Sequence, residues 1–240
     1  MTSEPPVPPE GGPAPGGGQV PFELSQAFNY GWMKFQQNVG PILVATLVLI
    51  AGGALISSIW YVVTLPWTAM DPNDLSGASA AGLLFTAALF AIVFALVGFI
   101  VQAGIVRGAL AITKGEPLEV GTILSTENLG QVILTAVLIG IGTSIGTVLC
   151  VLPGIVFAFF SQFAMHFVVD KGMSAMDAIR ASFRIVNRNL ASTIGLYLGV
   201  LVANLIGAIL CGVGLLVSVP VSIIATAFAY RRMNGEAVAA

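Results

Sequence analysis

The chain has 240 residues, of which 57% are hydrophobic and 8% charged, and its formal net charge at pH 7 is −2. Soluble domains carry roughly 25% charged residues, so this composition excludes an ordinary soluble domain and predicts a protein that crosses a membrane several times. The small negative charge argues against a nucleic-acid partner, because phosphate backbones are bound by clustered, uncompensated lysine and arginine.

The chain begins with a tail, residues 1–21, that is rich in proline and glycine. Too few apolar side chains are present to offset the entropy of ordering, so we predict a disordered tail. Phe22–Asn38 then forms a short amphipathic helix whose length and aromatic side chains suit the membrane interface. Its predicted apolar face consists of Leu24, Phe28, Trp32 and Phe35. Trp32 is a candidate contact for lipid or for a partner.

Six apolar stretches follow, each long enough for a transmembrane helix, which takes roughly 20 residues. The first pair covers 41–65 and 81–114, the second covers 129–171, and the third covers 190–210 and 214–230. The run Cys150-Val-Leu-Pro153-Gly154 interrupts the second pair. We place the turn in this run, because proline cannot continue a helix ladder and glycine accepts turn dihedrals. The predicted fold class is all-α, a polytopic membrane helical bundle of six transmembrane helices.

One unit occurs three times along this bundle: an amphipathic segment, an asparagine, a span, a turn, a second span and a stop that ends in glycine. The repeats cover about 22–115, 117–172 and 174–235, within a single membrane domain over 22–235, and 236–240 is a short tail. The asparagines are Asn38, Asn128 and Asn189. We therefore predict three copies of an amphipathic helix followed by a hairpin.

The amphipathic segment of the second repeat is Pro117–Asn128, and that of the third, Ser174–Asn189, has the clearest pattern. Its predicted apolar stripe consists of Met176, Ile179, Phe183 and Val186, and its polar stripe of Asp177, Arg180, Arg184 and Arg188. Ser174 with Asp177 three residues later predicts a capping box. We expect the three arginines to contact anionic lipid headgroups or a protein partner.

The basic residues indicate which way the spans are threaded. If six spans alternate, all nine lysines and arginines fall on one side, and the three connectors on the opposite side hold none. The positive-inside rule makes the shared side cytoplasmic. We therefore expect a multi-pass protein of the bacterial plasma (inner) membrane with both termini in the cytoplasm.

No Asp, Glu, Lys or Arg lies in the middle of a predicted span, which disfavours ion-coupled transport. The polar residues left at depth include Gln102, Gln162 and Asn204, which we interpret as interhelical hydrogen-bonding groups. The alternative is a small-molecule or lipid transporter or channel gated near these amides. His166 and Asp170, four residues apart near the inner face, could form a hydrogen-bonded pair.

Glycines spaced four apart, such as Gly142 and Gly146, predict close helix contacts within the bundle, with a homo-oligomer as the alternative. Gly142-Thr-Ser144-Ile-Gly146 also fits the G-x-S-x-G motif of hydrolases, but it lacks the strand-to-helix context of that motif, so we interpret it as a packing face. We predict no catalytic, cofactor-binding or metal-binding residue and no enzymatic activity. Whether Cys150 and Cys211 form a disulfide stays open.

Three stretches carry a family resemblance: Leu152-Pro-Gly-Ile155, the run from Val169 to Phe183, and Tyr230-Arg-Arg. They resemble bacterial multi-pass integral membrane proteins of unknown function, and the tail is similar to that of actinobacterial members. More distantly, the arrangement resembles the membrane domain fused ahead of some glycerophosphodiester phosphodiesterases, whose catalytic barrel has no counterpart here. The expected function is a non-enzymatic envelope or membrane-organising scaffold or accessory protein.

Overall fold

The structure is a computed structural model that describes residues 23–68, 77–117, 127–210 and 212–239, with side chains described except at 67, 68 and 77–79. Within these ranges every regular element is a helix, which confirms the all-α prediction. The predicted tail 1–21, most of the second amphipathic segment and Cys211 lie outside the described residues.

The helices follow the three predicted repeats. The first repeat contains α1 (Leu24–Gln37), α2 (Val39–Thr68) and α3 (Gly77–Lys114). The second contains α4 (Leu129–Leu149), α5 (Val151–Ser161) and α6 (Ala164–Lys171), and the third contains α7 (Ala175–Arg188), α8 (Leu190–Ile209) and α9 (Leu215–Met233). With α5 and α6 counted as one span, six helical spans are long and apolar enough to cross a membrane.

The turn of the second pair lies within the predicted interruption. It lies at Cys150, whose extended backbone (φ −170°) separates α4 from α5. Pro153 therefore falls in the first turn of α5, where the backbone N–H groups have no partner within the helix and a missing N–H costs nothing. Gly154 packs against Gly146, because a Cβ on Gly146 would stand 2.8 Å from the Gly154 Cα. The Pro-Gly pair thus marks a helix start and a close helix contact.

The fourth span is broken, which the sequence did not indicate. α5 ends at Ser161 and α6 begins at Ala164. Ser182 of α7 fits into the break, where its hydroxyl donates to the Phe160 carbonyl at 2.7 Å and accepts from the Phe163 N–H at 3.1 Å. This side chain satisfies backbone groups beside the break, as buried polar groups require.

The three junction asparagines make similar hydrogen bonds at the starts of the spans. The side-chain amides of Asn38 and Asn189 each donate to the carbonyl four residues earlier, both at 2.9 Å. The backbone carbonyls of Asn38, Asn128 and Asn189 each accept from the amide four residues later, at 3.1, 3.0 and 2.9 Å. Each asparagine therefore accepts the first hydrogen bond of the span that follows it, although Asn128 does so with a left-handed backbone (φ 55°).

The amphipathic helices pack on the hairpin of another repeat. α1 lies along α9 of the third repeat, and α7 lies across α4, α5 and α6 of the second. Their buried faces use equivalent positions: Ala27 and Ala178, each eleven residues before its asparagine, are both fully buried. Gly31 and Ser182 are likewise equivalent, and a Cβ on Gly31 would stand 2.6 Å from the Val221 carbonyl oxygen.

These buried faces are rotated from the predicted apolar stripes. Trp32 and Met176, each assigned to a stripe, are 48% and 49% exposed. Small residues on the neighbouring face let the helix backbones approach closely, as is usual between membrane helices. The large side chains at the edge of the contact are therefore left partly outside it.

The buried core lies towards one end of the molecule. One cluster centres on Phe163, Leu196 and Tyr230, and a second, around Phe35, Ile112 and Phe228, joins α1 to α3 and α9. By contrast, α2 and the first half of α3 leave most of their apolar side chains exposed. Exposed apolar surface on this scale is expected where lipid is the solvent.

Candidate functional site

Lysine and arginine collect at the core end of the bundle. Lys114, Lys171 and Arg231, from the ends of the three repeats, meet there through shared carboxylates. We call this the basic end. Arg107 lines a cavity there together with Lys114, and Arg184 and Arg188 line another together with Lys171.

The centre of the basic end is a network that we call the buried ion cluster, formed by Thr113, Lys114, Asp170, Lys171, Arg231 and Glu236. The Asp170 carboxylate lies 3.0 Å from Arg231 Nη2 and 3.1 Å from Lys114 Nζ. Arg231 also reaches Glu236 at 2.9 Å and donates from Nε to Thr113 Oγ1 at 2.8 Å. Glu236 lies 2.9 Å from Lys171 Nζ. All three repeats are therefore tied together by charge.

Burial separates the strong contacts of this cluster from the weak ones. The side chains of Asp170 and Arg231 are only 6% and 8% exposed, whereas that of Lys114 is 40% exposed. Water therefore screens the lysine contact much more than the arginine contact. The chain beyond α9 closes over the pair, because the Ala239 N–H donates to the Thr113 carbonyl at 3.0 Å.

The prediction of a hydrogen bond between His166 and Asp170 is wrong. Asp170 binds Arg231 and Lys114, and the Tyr230 hydroxyl lies 3.4 Å from its other oxygen. His166 is buried, its ring packs between Phe163 and Tyr230, and its Nδ1 has no hydrogen-bond partner in the described part of the chain. The four-residue spacing could not predict this outcome, because the cations that compete for Asp170 come from helices distant in sequence.

Tyr30 connects α1 to the basic end. Its hydroxyl donates to the Ile112 carbonyl at 3.4 Å, and its ring packs on Phe228 with centroids 4.7 Å apart. Burial raises the pKa of Tyr30 to about 12, although the nearby positive charge of Arg231 acts in the opposite direction.

The outer face of α7 carries the predicted arginines and is here called the basic face: Arg180, Arg184 and Arg188. All three side chains are exposed. Ser174 caps the helix as predicted, since its hydroxyl accepts from the Asp177 N–H at 3.3 Å and donates to the Asp177 carboxylate at 2.6 Å. Arg180 lies 3.8 Å from Asp177, whereas Arg184 and Arg188 form no ion pair with any described residue.

Arg184 and Arg188 border a cavity of about 310 Å³ that we call the basic pocket. Lys171 of α6 and Asn234, just after α9, also line it. Apolar side chains complete the lining, among them Phe167, Ile185 and Met233. Its lining includes no carboxylate, although Glu236 contacts Lys171 from outside it.

A second cavity of about 300 Å³ at the basic end has a different character. Arg107 and Lys114 line it together with three carboxylates, those of Glu116, Glu127 and Asp170. Arg107 donates to the Glu127 carbonyl at 2.6 Å. Charges of opposite sign are therefore mixed here, unlike in the basic pocket.

The intramembrane amides do not converge on one place. Gln102 is exposed, and Gln162, directly after α5, donates to the carbonyl of Phe159 in α5 at 2.9 Å. Asn204 accepts from the Ser218 hydroxyl at 3.0 Å, a contact between α8 and α9. Neither the two cavities at the basic end nor the two described beside α2 and α3 are lined by any of these amides.

The G-x-S-x-G stretch forms a helix contact. A Cβ on Gly142 would stand 2.5 Å from the ring of Phe157, and Gly146 packs on Gly154 as described above. Ser144 is exposed, whereas His166 is buried beside Tyr230. Among the described residues, no group of three or more His, Cys, Asp or Glu side chains could hold a metal ion. Cys150 is exposed, and its predicted relation to Cys211 lies outside the described residues.

These features define a class: a helical membrane protein made of repeated hairpins whose ends are joined by buried charges. The model of a domain of unknown function, DUF7847, matches residues 93–240, which is more than half of the chain, and the chain belongs to this family. Uncharacterized protein Rv2560 of Mycobacterium tuberculosis is 33% identical over 230 residues, covering 90% of this chain and 70% of that protein. Uncharacterized protein Mb2590 of Mycobacterium bovis shows the same identity and coverage. No solved structure matches the chain.

The resemblance to bacterial proteins of unknown function is thus confirmed. The more distant resemblance to the membrane domain of glycerophosphodiester phosphodiesterases gains no support, because the matching proteins are uncharacterized.

Proposed function

We propose that this protein is a non-enzymatic, multi-pass protein of the bacterial plasma membrane that organises the envelope as a scaffold or accessory protein. Its basic end faces the cytoplasm, and the basic face of α7 holds anionic lipids there, with room for a protein partner beside them. The observation that carries the proposal is the exposure of Arg184 and Arg188 without an ion-pair partner among the described residues.

The surroundings of α7 support a position at the membrane surface. α8, an apolar span, starts directly after Asn189, and its first residue, Leu190, is 42% exposed. Trp32 on α1 is exposed as well, and tryptophan is enriched at headgroup depth. Each cation near an anionic membrane contributes about 1 kcal/mol at most, so a row of arginines favours retention of lipid over a tight site.

The transporter alternative has less support. It needs a water-filled path that reaches the intramembrane amides, as selectivity in channels depends on polar groups that line the pore. The three amides instead have different surroundings. Gln102 is exposed, Gln162 bonds to Phe159 and Asn204 bonds to Ser218.

The test is what copurifies with the full chain in mild detergent. We expect anionic phospholipid to be retained, and we expect the triple variant R180Q/R184Q/R188Q to retain clearly less of it. S174A, which removes the α7 cap without changing charge, serves as the control for helix damage. Equal lipid retention by the triple variant and the wild type would remove the proposal.

A further inference from the structure

The basic pocket differs from a merely charged surface in its shape and in the sign of its lining. Lys171, Arg184 and Arg188 approach the same cavity from two helices, and its lining includes no carboxylate. Arg184 and Arg188, four residues apart on α7, lie on one side of the helix at neighbouring turns. Guanidinium groups in this arrangement suit phosphate oxygens, which they can bind bidentately.

The apolar part of the lining indicates how such a ligand would lie. Phe167, Ile185 and Met233 lie beside the cations, and Met173 completes this side. A cavity of about 310 Å³ is at the lower end of the size range of small-molecule sites. It is large enough for a phosphate and the glycerol attached to it.

The position of the pocket agrees with headgroup depth. Asn189, which also lines the pocket, is the junction at which α7 ends and the apolar span α8 begins. Phosphate groups of a bilayer lie at such a boundary between charged and apolar surface.

From these observations we infer that the basic pocket is a phosphate-binding site, in which Arg184 and Arg188 bind the phosphate group of an anionic lipid. Lys171 adds positive charge, and the contact of Lys171 with Glu236 links the site to the buried ion cluster. The inference rests on the proposed function and makes it narrower, because two of the three arginines do the binding and Arg180 does not. Inorganic phosphate offers the same chemistry without the lipid.

The experiment compares three single substitutions on one helix: R180Q, R184Q and R188Q. Each removes one positive charge from an exposed position of α7, but only Arg184 and Arg188 line the pocket. Native mass spectrometry of the full chain in detergent measures the affinity for phosphatidic acid, with phosphatidylcholine as the zwitterionic control. A parallel arm measures the shift in thermal unfolding midpoint caused by inorganic phosphate.

We expect R184Q and R188Q each to bind phosphatidic acid about tenfold more weakly, and R180Q to stay within about twofold of the wild type. R184K, which keeps the charge and loses the guanidinium fork, should fall between wild type and R184Q. Inorganic phosphate could instead raise the unfolding midpoint of the wild type but not of R184Q or R188Q, while phosphatidic acid does not bind. That result would support the site and identify its ligand as free phosphate.

Three outcomes would overturn the inference. If R180Q, R184Q and R188Q lose equal amounts of affinity for phosphatidic acid, the surface attracts lipid without a defined site, and only the proposed function stands. If no variant loses affinity, both the inference and the proposed function are contradicted. If the wild type retains a polypeptide in place of lipid, and R184Q does not retain it, the basic face binds a protein partner instead. Circular dichroism of each variant confirms that the helices are intact.

Discussion

At the scale of single residues, the buried ion cluster is governed by Asp170. Its carboxylate is 6% exposed and faces a guanidinium that is 8% exposed, so each is the most buried counter-charge of the other. Burying two ions costs several kcal/mol each, and only good geometry with further hydrogen bonds offsets that cost. Thr113 and Glu236 supply those further bonds to Arg231.

We therefore predict that Asp170→Asn destabilises the protein strongly. Breaking a buried ion pair by removing one partner costs about 3 to 5 kcal/mol. Because Arg231 keeps its contact with the partly exposed Glu236, we expect a cost at the lower end of this range. The matched control is Asp177→Asn, which removes a carboxylate from an exposed pair with Arg180 and should cost about 1 kcal/mol or less. Thermal unfolding in detergent, followed by circular dichroism, measures both. Similar midpoints for the two variants would contradict the central role of Asp170.

A second residue-scale prediction concerns Tyr30 at high pH. Because its pKa is raised from 10.0 to about 12 in the folded protein, the folded state holds the proton more tightly than the unfolded chain does. The resulting stability is complete below pH 10 and is lost as the pH rises from 10 to 12. Two pKa units correspond to about 3 kcal/mol.

Tyr30→Phe should remove this part of the alkaline loss. The measurement is the free energy of unfolding at pH 9 and pH 11.5 for the wild type and the variant, since other groups that titrate in this range cancel in the difference. An identical alkaline loss in the wild type and in Tyr30→Phe would show that burial of Tyr30 has no such effect.

At the scale of elements, the hairpins are held by glycine contacts near their turns. Gly146 meets Gly154 between α4 and α5, and Gly207 meets Gly214 between α8 and the start of α9. The two contacts occupy equivalent places in the second and third repeats. Gly195, which belongs to the same four-residue spacing as Gly207, has nothing within 4 Å of its Cβ position.

Gly146→Ala should therefore destabilise the protein by about 1 to 3 kcal/mol, because its methyl group would meet the backbone of Gly154. Gly195→Ala should be neutral or slightly stabilising, since alanine favours the helix and the space is open. Thermal unfolding and size-exclusion chromatography test both variants. Loss of an oligomer in Gly195→Ala, with an unchanged Gly146→Ala, would show that the glycine spacing serves self-association.

The elements also show how far the sequence alone could lead. Span length, the capping serine and the junction asparagines depend on local chemistry, so the repeats and the start of α7 are predictable. The break at Gln162 and Phe163 depends on Ser182, about twenty residues away, and has no local signal. The same holds for the site: exposure of Arg184 follows from helical spacing, whereas Asp170 finds partners on α3 and α9.

At the scale of the whole molecule, the repeats are joined in two ways. Amphipathic helices pack on a hairpin of a different repeat, and the buried ion cluster links the three repeat ends. Both kinds of contact lie towards the basic end, whereas α2 and the first half of α3 leave most of their apolar surface free. The bundle is therefore held together mainly at that end, and its other end is left to interactions with lipid.

Because the two ends of the bundle differ in charge and packing, the orientation in the membrane can be predicted and tested. The positive-inside rule predicts that the basic end faces the cytoplasm. The connector between α2 and α3, which includes Asp71 and has no lysine or arginine, would then face outwards. Asp71 itself lies outside the described residues, so its side of the membrane is a prediction from the sequence.

We predict that a cysteine at position 71 reacts with an impermeant maleimide on intact cells, in a chain that also carries C150S and C211S. A cysteine introduced by R180C in the same background should react only after the cells are opened, because α7 lies at the basic end. Labelling of R180C but not D71C on intact cells would invert the orientation. In that case the basic face could not meet the anionic cytoplasmic leaflet, so the phosphate site would need a ligand from outside the cell.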